Sequence, residues 1–285
     1  MSHPAIKPGN TAVITGGAAG IGLASAIAFA KAGLRVCIAD LGEARLAEAA
    51  RRIAEVAPGG ARDVMAAETD VGSHEEVQAL ADRVKGEWGH LHVLMNNAGI
   101  QPGSSMFGPR QSWERVIDVN LWGVINGVQA FVPRMIGQGS PGLVINTGSK
   151  QGITTPPGDP AYNISKAGVK VMTEALAHEL RNTDGCQITA HLLIPGFVFT
   201  ELTAKGRTEK PAGAWTPEQT VGFMLERISA GDFYILCPDN EATRALDEKR
   251  ILWAAGDIVE NRPPLSRWHK DHGEAFASFV SRGGR

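Results

Sequence analysis

The segment Thr11-Ala12-Val13-Ile14-Thr15 runs directly into Gly16-Gly17-Ala18-Ala19-Gly20-Ile21-Gly22, and a helical pattern opens immediately behind it. A strand, a glycine-rich turn and a helix in that order leave the chain few folds. Only glycine lets a backbone turn this tightly without a Cβ in the way, and the amides that open the helix then point at whatever fills the turn. A diphosphate suits such a turn. The segment therefore reads as a phosphate loop, with Gly16, Ala19, Gly20, Ile21 and Gly22 as binding residues.

The same alternation continues along the chain. Apolar or β-branched runs predict strands at 11–15, 34–39, 63–69, 91–95, 143–147, 188–194 and 233–236. Helical patterns fill 21–32, 43–56, 74–88, 112–136, 161–181 and 217–229 between them. Seven strands separated by helices predict an α/β fold with a parallel sheet. Right-handed crossovers make it doubly wound, with helices on both faces. The 285 residues contain no repeat, low-complexity run or long linker, so one domain is expected over 1–238. Residues 239–285 form an extension expected to pack on that domain or on a partner subunit. Within it, Phe276, Phe279 and Val280 recur at helical spacing and predict a short docked helix.

Composition removes other classes. Twenty-eight basic residues face 30 acidic ones, a formal charge of −2, so no large positive field awaits a nucleic acid backbone. Cys37, Cys186 and Cys237 have no CxxC or Cys/His ligand spacing. The histidines at 90, 92, 269 and 272 lack a completing thiol or carboxylate, and no metal site is expected. The N-terminal segment shows no charged start followed by an apolar run, and no long uncharged stretch occurs. A cytoplasmic protein without a membrane partner is the expectation.

Chemistry gathers at the predicted strand ends. Asp40 closes the second strand, where a carboxylate can accept hydrogen bonds from an adenosine ribose and repel a 2′-phosphate. No Lys or Arg stands at 17, 18, 19 or 41, so NAD is favoured over NADP. An ordinary helix N-cap is the structural alternative for Asp40. Asp70-Val71, Asn96-Asn97-Ala98-Gly99 and Gly148-Ser149 fall at further strand ends, with small and amide side chains suited to adenine and ribose. Asn120 interrupts an apolar helical stripe and needs partners, whether a local carbonyl or a group in the site. Tyr162 and Lys166 stand at i, i+4 and share a helix face that Val169, Leu176 and Leu180 continue toward the sheet. A neighbouring ammonium and a positive nicotinamide both favour a phenolate, which makes the tyrosine a usable base.

TGGAAGIG, Asp40, NNAG, Asn120, Ser149, the run Tyr162-Asn163-Ile164-Ser165-Lys166, and Pro195-Gly196 followed by Thr200 occur in this order. In these motifs, and in the spacing of 13 from Ser149 to Tyr162, the chain resembles the short-chain dehydrogenase/reductase family over about residues 8 to 238. The resemblance implies a Rossmann-type fold, NAD(P) binding and a catalytic set at Asn120, Ser149, Tyr162 and Lys166. Tyr162 would take the alcohol proton, Ser149 hold the substrate oxygen, Lys166 bond the nicotinamide ribose, and Asn120 hold a water. It also implies cofactor contacts at Pro195, Gly196, Val198 and Thr200, the last toward the carboxamide; a helix N-cap is the structural alternative for Thr200.

After Thr200 the chain departs from many members of that family, and its substrate end is less defined. Gln101, Gln151, Ile153 and Phe197 are expected near the pocket, a lining suited to an uncharged secondary alcohol or ketone. The helices at 112–136 and 161–181 are, by the resemblance, expected to pack against partner copies as a homodimer or homotetramer. An NADP-dependent carbonyl reductase and a non-catalytic nucleotide sensor are the alternatives. Asp40 disfavours the first, and the filled catalytic set disfavours the second.

Overall fold

The computed structural model describes residues 3–204 and 206–282. Its strands are β1 (Thr11–Thr15), β2 (Arg35–Asp40), β3 (Val64–Glu68), β4 (Val93–Asn96), β5 (Gly142–Thr147), β6 (Ile188–Ile194) and β7 (Tyr234–Leu236). Helices α1 (Gly20–Lys31), α2 (Glu43–Ala54), α3 (His74–Trp88), α4 (Arg110–Ile117) and α5 (Gly123–Gly137) cover the first half. The second half carries α6 (Gln151–Thr154), α7 (Pro160–Asn182), α8 (Glu201–Ala204), α9 (Pro217–Ser229), α10 (Arg244–Val259) and α11 (Gly273–Ser281).

The strands form one all-parallel sheet in the order β3-β2-β1-β4-β5-β6-β7. Strands buried on both faces read as continuous apolar runs rather than alternating ones, and every residue of β1, β4 and β5 is buried. Helices α1, α2 and α9 bury Phe29, Ile53 and Met224 on one face of the sheet. On the other face α3, α5 and α7 bury Leu80, Phe131 and Leu180. Strand order reverses between β1 and β4, so their loops diverge to opposite sides and leave a crevice at the carboxyl edge.

Two elements differ from the sequence expectation. The helix expected over 112–136 is interrupted by a π-helical turn at Asp118–Trp122, where the Gly123 N–H donates to the Asp118 carbonyl. One wider turn barely disturbs a 3.6-residue apolar period, which is why the periodicity does not reveal it. The extension contains not only the expected short helix, α11, but also the 16-residue α10. Phe276 and Phe279 of α11 pack against the Trp253 ring of α10, with ring centres 5.4 and 5.3 Å apart.

Candidate active site

The crevice is a cleft of about 500 Å³. The glycine loop forms its floor at one end. Gly16 has a φ of +64°, and a Cβ there would lie 2.7 Å from the Cα of Ala98. A Cβ on Gly22 would overlap the Gly16 carbonyl oxygen. Gly22 thus serves the close packing of helix on turn and lies behind the cleft surface, whereas Gly16, Ala19, Gly20 and Ile21 line it. No side chain caps α1 at Ala19, so the first amides of the helix have no side-chain acceptor, as an anion site requires.

Asp40 reaches across the mouth of this loop. One carboxylate oxygen accepts the Ala18 N–H at 2.9 Å and the other accepts the Leu41 N–H at 2.8 Å. The N-cap of α2 is Gly42, so Asp40 braces the glycine loop instead of capping a helix. Asn97 ties three strand ends together. Its amide donates to the carbonyls of Thr15 and Gly16, and its oxygen accepts from the Thr147 hydroxyl. Asp70, Val71, Ala98 and Gly99 line the same wall. Opposite, Pro195, Gly196, Val198 and Thr200 close over the loop, and a Cβ on Gly20 would meet the Thr200 methyl at 3.0 Å. The Thr200 N–H donates to the Thr203 hydroxyl at 3.0 Å just ahead of α8.

Tyr162 and Lys166 enter from the first turns of α7, which starts at Pro160 where a missing N–H costs nothing. Both are buried, at 7% and 4% exposure, and both touch the cleft. The Lys166 ammonium donates to the Thr147 carbonyl at 2.8 Å and lies 5.8 Å from the centre of the Tyr162 ring. Burial pulls Lys166 down to about 8. Burial also pushes the Tyr162 phenol up to about 12, the nearby Ser149 hydroxyl opposing the rise and the Asp159 carboxylate adding to it. Ser149 lines the cleft, and its hydroxyl accepts the Gln151 N–H at 3.1 Å.

Asn120 lies behind this group, fully buried in the π-helical turn. Its oxygen accepts the Ile100 N–H at 2.7 Å, and its amide donates to the Ile100 carbonyl at 2.9 Å and the Ser165 hydroxyl at 3.2 Å. The amide therefore clamps the backbone after Gly99 and braces α7, the local-carbonyl alternative. Both polar ends of the side chain are engaged.

The residues expected at the substrate end are less well gathered. Gln101 donates to Gln151 at 3.4 Å. Neither glutamine lines the cleft, and neither do Ile153 and Phe197. Ile153 packs against the buried cluster of Val124, Val169, Leu192, Ile194 and Leu236, and the Phe197 ring lies under the Arg207 guanidinium. The cleft is lined instead by Thr69, Ile100, Arg115, Thr147 and Leu202, together with Arg45 from α2. Arg45 stands in the first turn of α2, four residues beyond Leu41. Among the described residues no three His, Cys, Asp or Glu side chains cluster as metal ligands do.

Residues 10–211 match the family model described as short chain dehydrogenase. A 1-deoxy-11-beta-hydroxypentalenate dehydrogenase of Streptomyces exfoliatus is 31% identical over 263 residues, covering 90% of this chain and 93% of the relative. A 3-oxoacyl-(acyl-carrier-protein) reductase of Thermotoga maritima is 34% identical over 226 residues, covering 79% and 85%. The crystal structure of a short-chain dehydrogenase/reductase from Burkholderia phymatum in complex with NAD superposes with a TM-score of 0.80 at 31% identity, covering 90% and 96%. A doubly wound sheet with a nucleotide cleft and this sequence relationship define an oxidoreductase of the nicotinamide-cofactor type. The chain belongs to the short-chain dehydrogenase/reductase family. Among the described residues no helix is long and apolar enough to cross a membrane.

Proposed function

We propose that this protein is an NAD-dependent dehydrogenase that interconverts a secondary alcohol and a ketone, with Tyr162 as acid and base. The observation that carries the reading is the burial of Tyr162 beside Lys166 and Ser149, at the far end of a cleft whose other end is an uncapped helix N-terminus. The donor set fits a dinucleotide. The amides of α1 and the glycine loop suit a diphosphate, Asp40 suits the adenosine ribose, and Asp70, Val71, Asn97, Ala98 and Gly99 form the wall between. Bound there, the nicotinamide supplies or accepts the hydride.

This chain's own residues handle the proton. In oxidation the Ser149 hydroxyl holds the substrate oxygen and the Tyr162 hydroxyl oxygen, as phenolate, removes its proton. In reduction Tyr162 returns the proton to the developing alkoxide. Lys166, held by Thr147, keeps a positive charge near the phenol and favours its ionised form. Asn120 fixes the backbone at Ile100 and the Ser165 hydroxyl, so its part is to hold α7 in place against the cleft. Pro195, Gly196, Val198 and Thr200 would close over the nicotinamide end. Gln101, Gln151, Ile153 and Phe197 remain the substrate-side candidates, reached once a substrate extends past Ser149.

NAD is preferred because the Asp40 carboxylate, pinned by two backbone amides beside the glycine loop, would repel a 2′-phosphate on the adenosine ribose. The NAD complex of the Burkholderia neighbour supports the same choice. Arg45 favours a second reading, as an NADP-dependent reductase. Its guanidinium lies 3.4 Å from Glu201 on the cleft wall and could exchange that partner for a phosphate. Parallel titrations with NADH and NADPH decide between the two, tighter NADPH binding rejecting the first. A panel of secondary alcohols and ketones followed by nicotinamide absorbance tests the reaction itself.

A homodimer or homotetramer belongs to the same proposal. Trp122, Ile164 and Val171 are about half exposed or more on the two long helical segments beside the sheet, where a partner copy would cover them.

A further inference from the structure

Lys150 follows Ser149 but turns away from the cleft. Its ammonium lies 3.0 Å from a carboxylate oxygen of Asp239, just past β7, and 2.5 Å from one of Asp247, on α10. All three side chains are largely buried, and Arg250 approaches the other oxygen of Asp247 at 3.3 Å. Two cations and two carboxylates meet in this largely buried cluster, and Arg267 stands close enough to interact with both Arg250 and Asp247. An incomplete cluster there would strand a charge, so each member depends on the others.

The cluster joins both loops that face the substrate. The Lys150 N–H donates to the Pro195 carbonyl at 3.3 Å, and the oxygen of Asp239 that meets Lys150 also accepts the Phe197 N–H at 3.1 Å. A Cβ on Gly196 would overlap Asp239 and lie 2.8 Å from the Lys150 nitrogen, so the cluster presses directly on the Pro195-Gly196 turn. Although burial works against it, the Phe197 amide and Lys150 hold the Asp239 carboxyl below its ordinary range. From the other side, α10 packs on α6, the short helix that follows Ser149 and Lys150.

We infer that Lys150 is a positioning residue for Ser149 and for the turn at 195–198, and that Asp247 of α10 completes it. The region after β7 is thereby part of the catalytic apparatus rather than an appendage. Its effect on turnover rests on the dehydrogenase reading above; its effect on the two loops does not.

The test compares the full chain with Asp247→Asn, Asp247→Glu and Lys150→Met. Asp247→Asn keeps the shape of the site and leaves Lys150 paired with Asp239, so it should fold even if Lys150→Met does not. Hydrogen exchange should quicken about tenfold in peptides spanning 149–155 and 195–204, while the β1–α1 peptides stay unchanged. In turnover, kcat should fall about tenfold with the KM for NAD within about threefold, because the loops at the reacting end shift and the diphosphate end does not. Asp247→Glu should restore most of both. Unchanged exchange at the two loops in a folded Asp247→Asn protein overturns the proposal, as does faster exchange spread evenly over the whole sheet. Wild-type protein inert toward every alcohol and ketone would instead reject the dehydrogenase reading, with the exchange comparison still deciding the brace.

Discussion

Replacing Lys166 by Met should stabilise the cofactor-free protein while removing its activity. The ammonium is 4% exposed, and the Thr147 carbonyl is its hydrogen-bond acceptor. Three N–H donors thus share one acceptor. Burial lowers the group from 10.5 to about 8, which at about 1.4 kcal/mol per unit places about 3 kcal/mol of cost on the folded state at neutral pH. Below pH 8 the lysine is charged in both states and the cost is full. Between 8 and 10.5 the folded protein sheds the proton while the unfolded chain keeps it, so wild-type stability gains from this group as pH rises. The Met variant lacks both the cost and the gain. It leaves the Thr147 carbonyl unpaired, which takes back about 1 kcal/mol. The variant should therefore be about 2 kcal/mol more stable at pH 7, a rise of several degrees in Tm. That advantage should vanish toward pH 10.5. Urea unfolding of both proteins without nucleotide, at equal concentration across that range, measures it. A variant less stable than wild type at pH 7, by an amount that does not change with pH, would refute the reasoning.

Asp40→Ala should narrow the NADH-over-NADPH preference by about 1–3 kcal/mol of binding, read by paired fluorescence titrations; an unchanged ratio contradicts it. Gly22→Ala places a methyl against the Gly16 carbonyl and should cost about 1–3 kcal/mol of stability and weaken NADH binding, both absent if the turn simply relaxes. Because the phenol of the free protein is pushed up to about 12 and Lys166 stays charged below about 8, kcat/KM for alcohol oxidation should climb between about pH 6 and 8 as the phenolate fraction grows. A flat profile there would argue against Tyr162 as the base. Light scattering at micromolar concentration should show a dimer or tetramer, and a monomer would leave the exposed Trp122 and Val171 unexplained.

The parts legible in the sequence were those in which chemistry demands a residue type at a fixed place in a repeating frame. The buried parallel strands announced themselves because both faces must be apolar, and the glycine loop because a Cβ at Gly16 or Gly22 has nowhere to go. Tyr162 and Lys166 followed from one helical turn. The π-helical turn at Asn120 was hidden because it changes hydrogen bonding without changing which residues are apolar. Helix α10 was hidden because only Asp247 and Trp253 are buried along it, too few for an apolar stripe. The pairing of Lys150 with Asp239 and Asp247 spans almost a hundred residues and no local pattern foretells it. Gln101, Gln151, Ile153 and Phe197 do not line the cleft of the free protein, because no repeating pattern in the sequence fixes which way side chains at these positions point.

The central claim is that Tyr162 exchanges a proton with the substrate, and Tyr162→Phe tests it most directly. The substitution keeps the ring and its packing and removes only the hydroxyl. With an active alcohol or ketone in hand, turnover should fall by at least the ~10²–10⁴-fold assigned to general acid–base catalysis, while NADH binding and Tm stay near wild type. A folded variant that keeps more than about a tenth of the wild-type rate would contradict the mechanism.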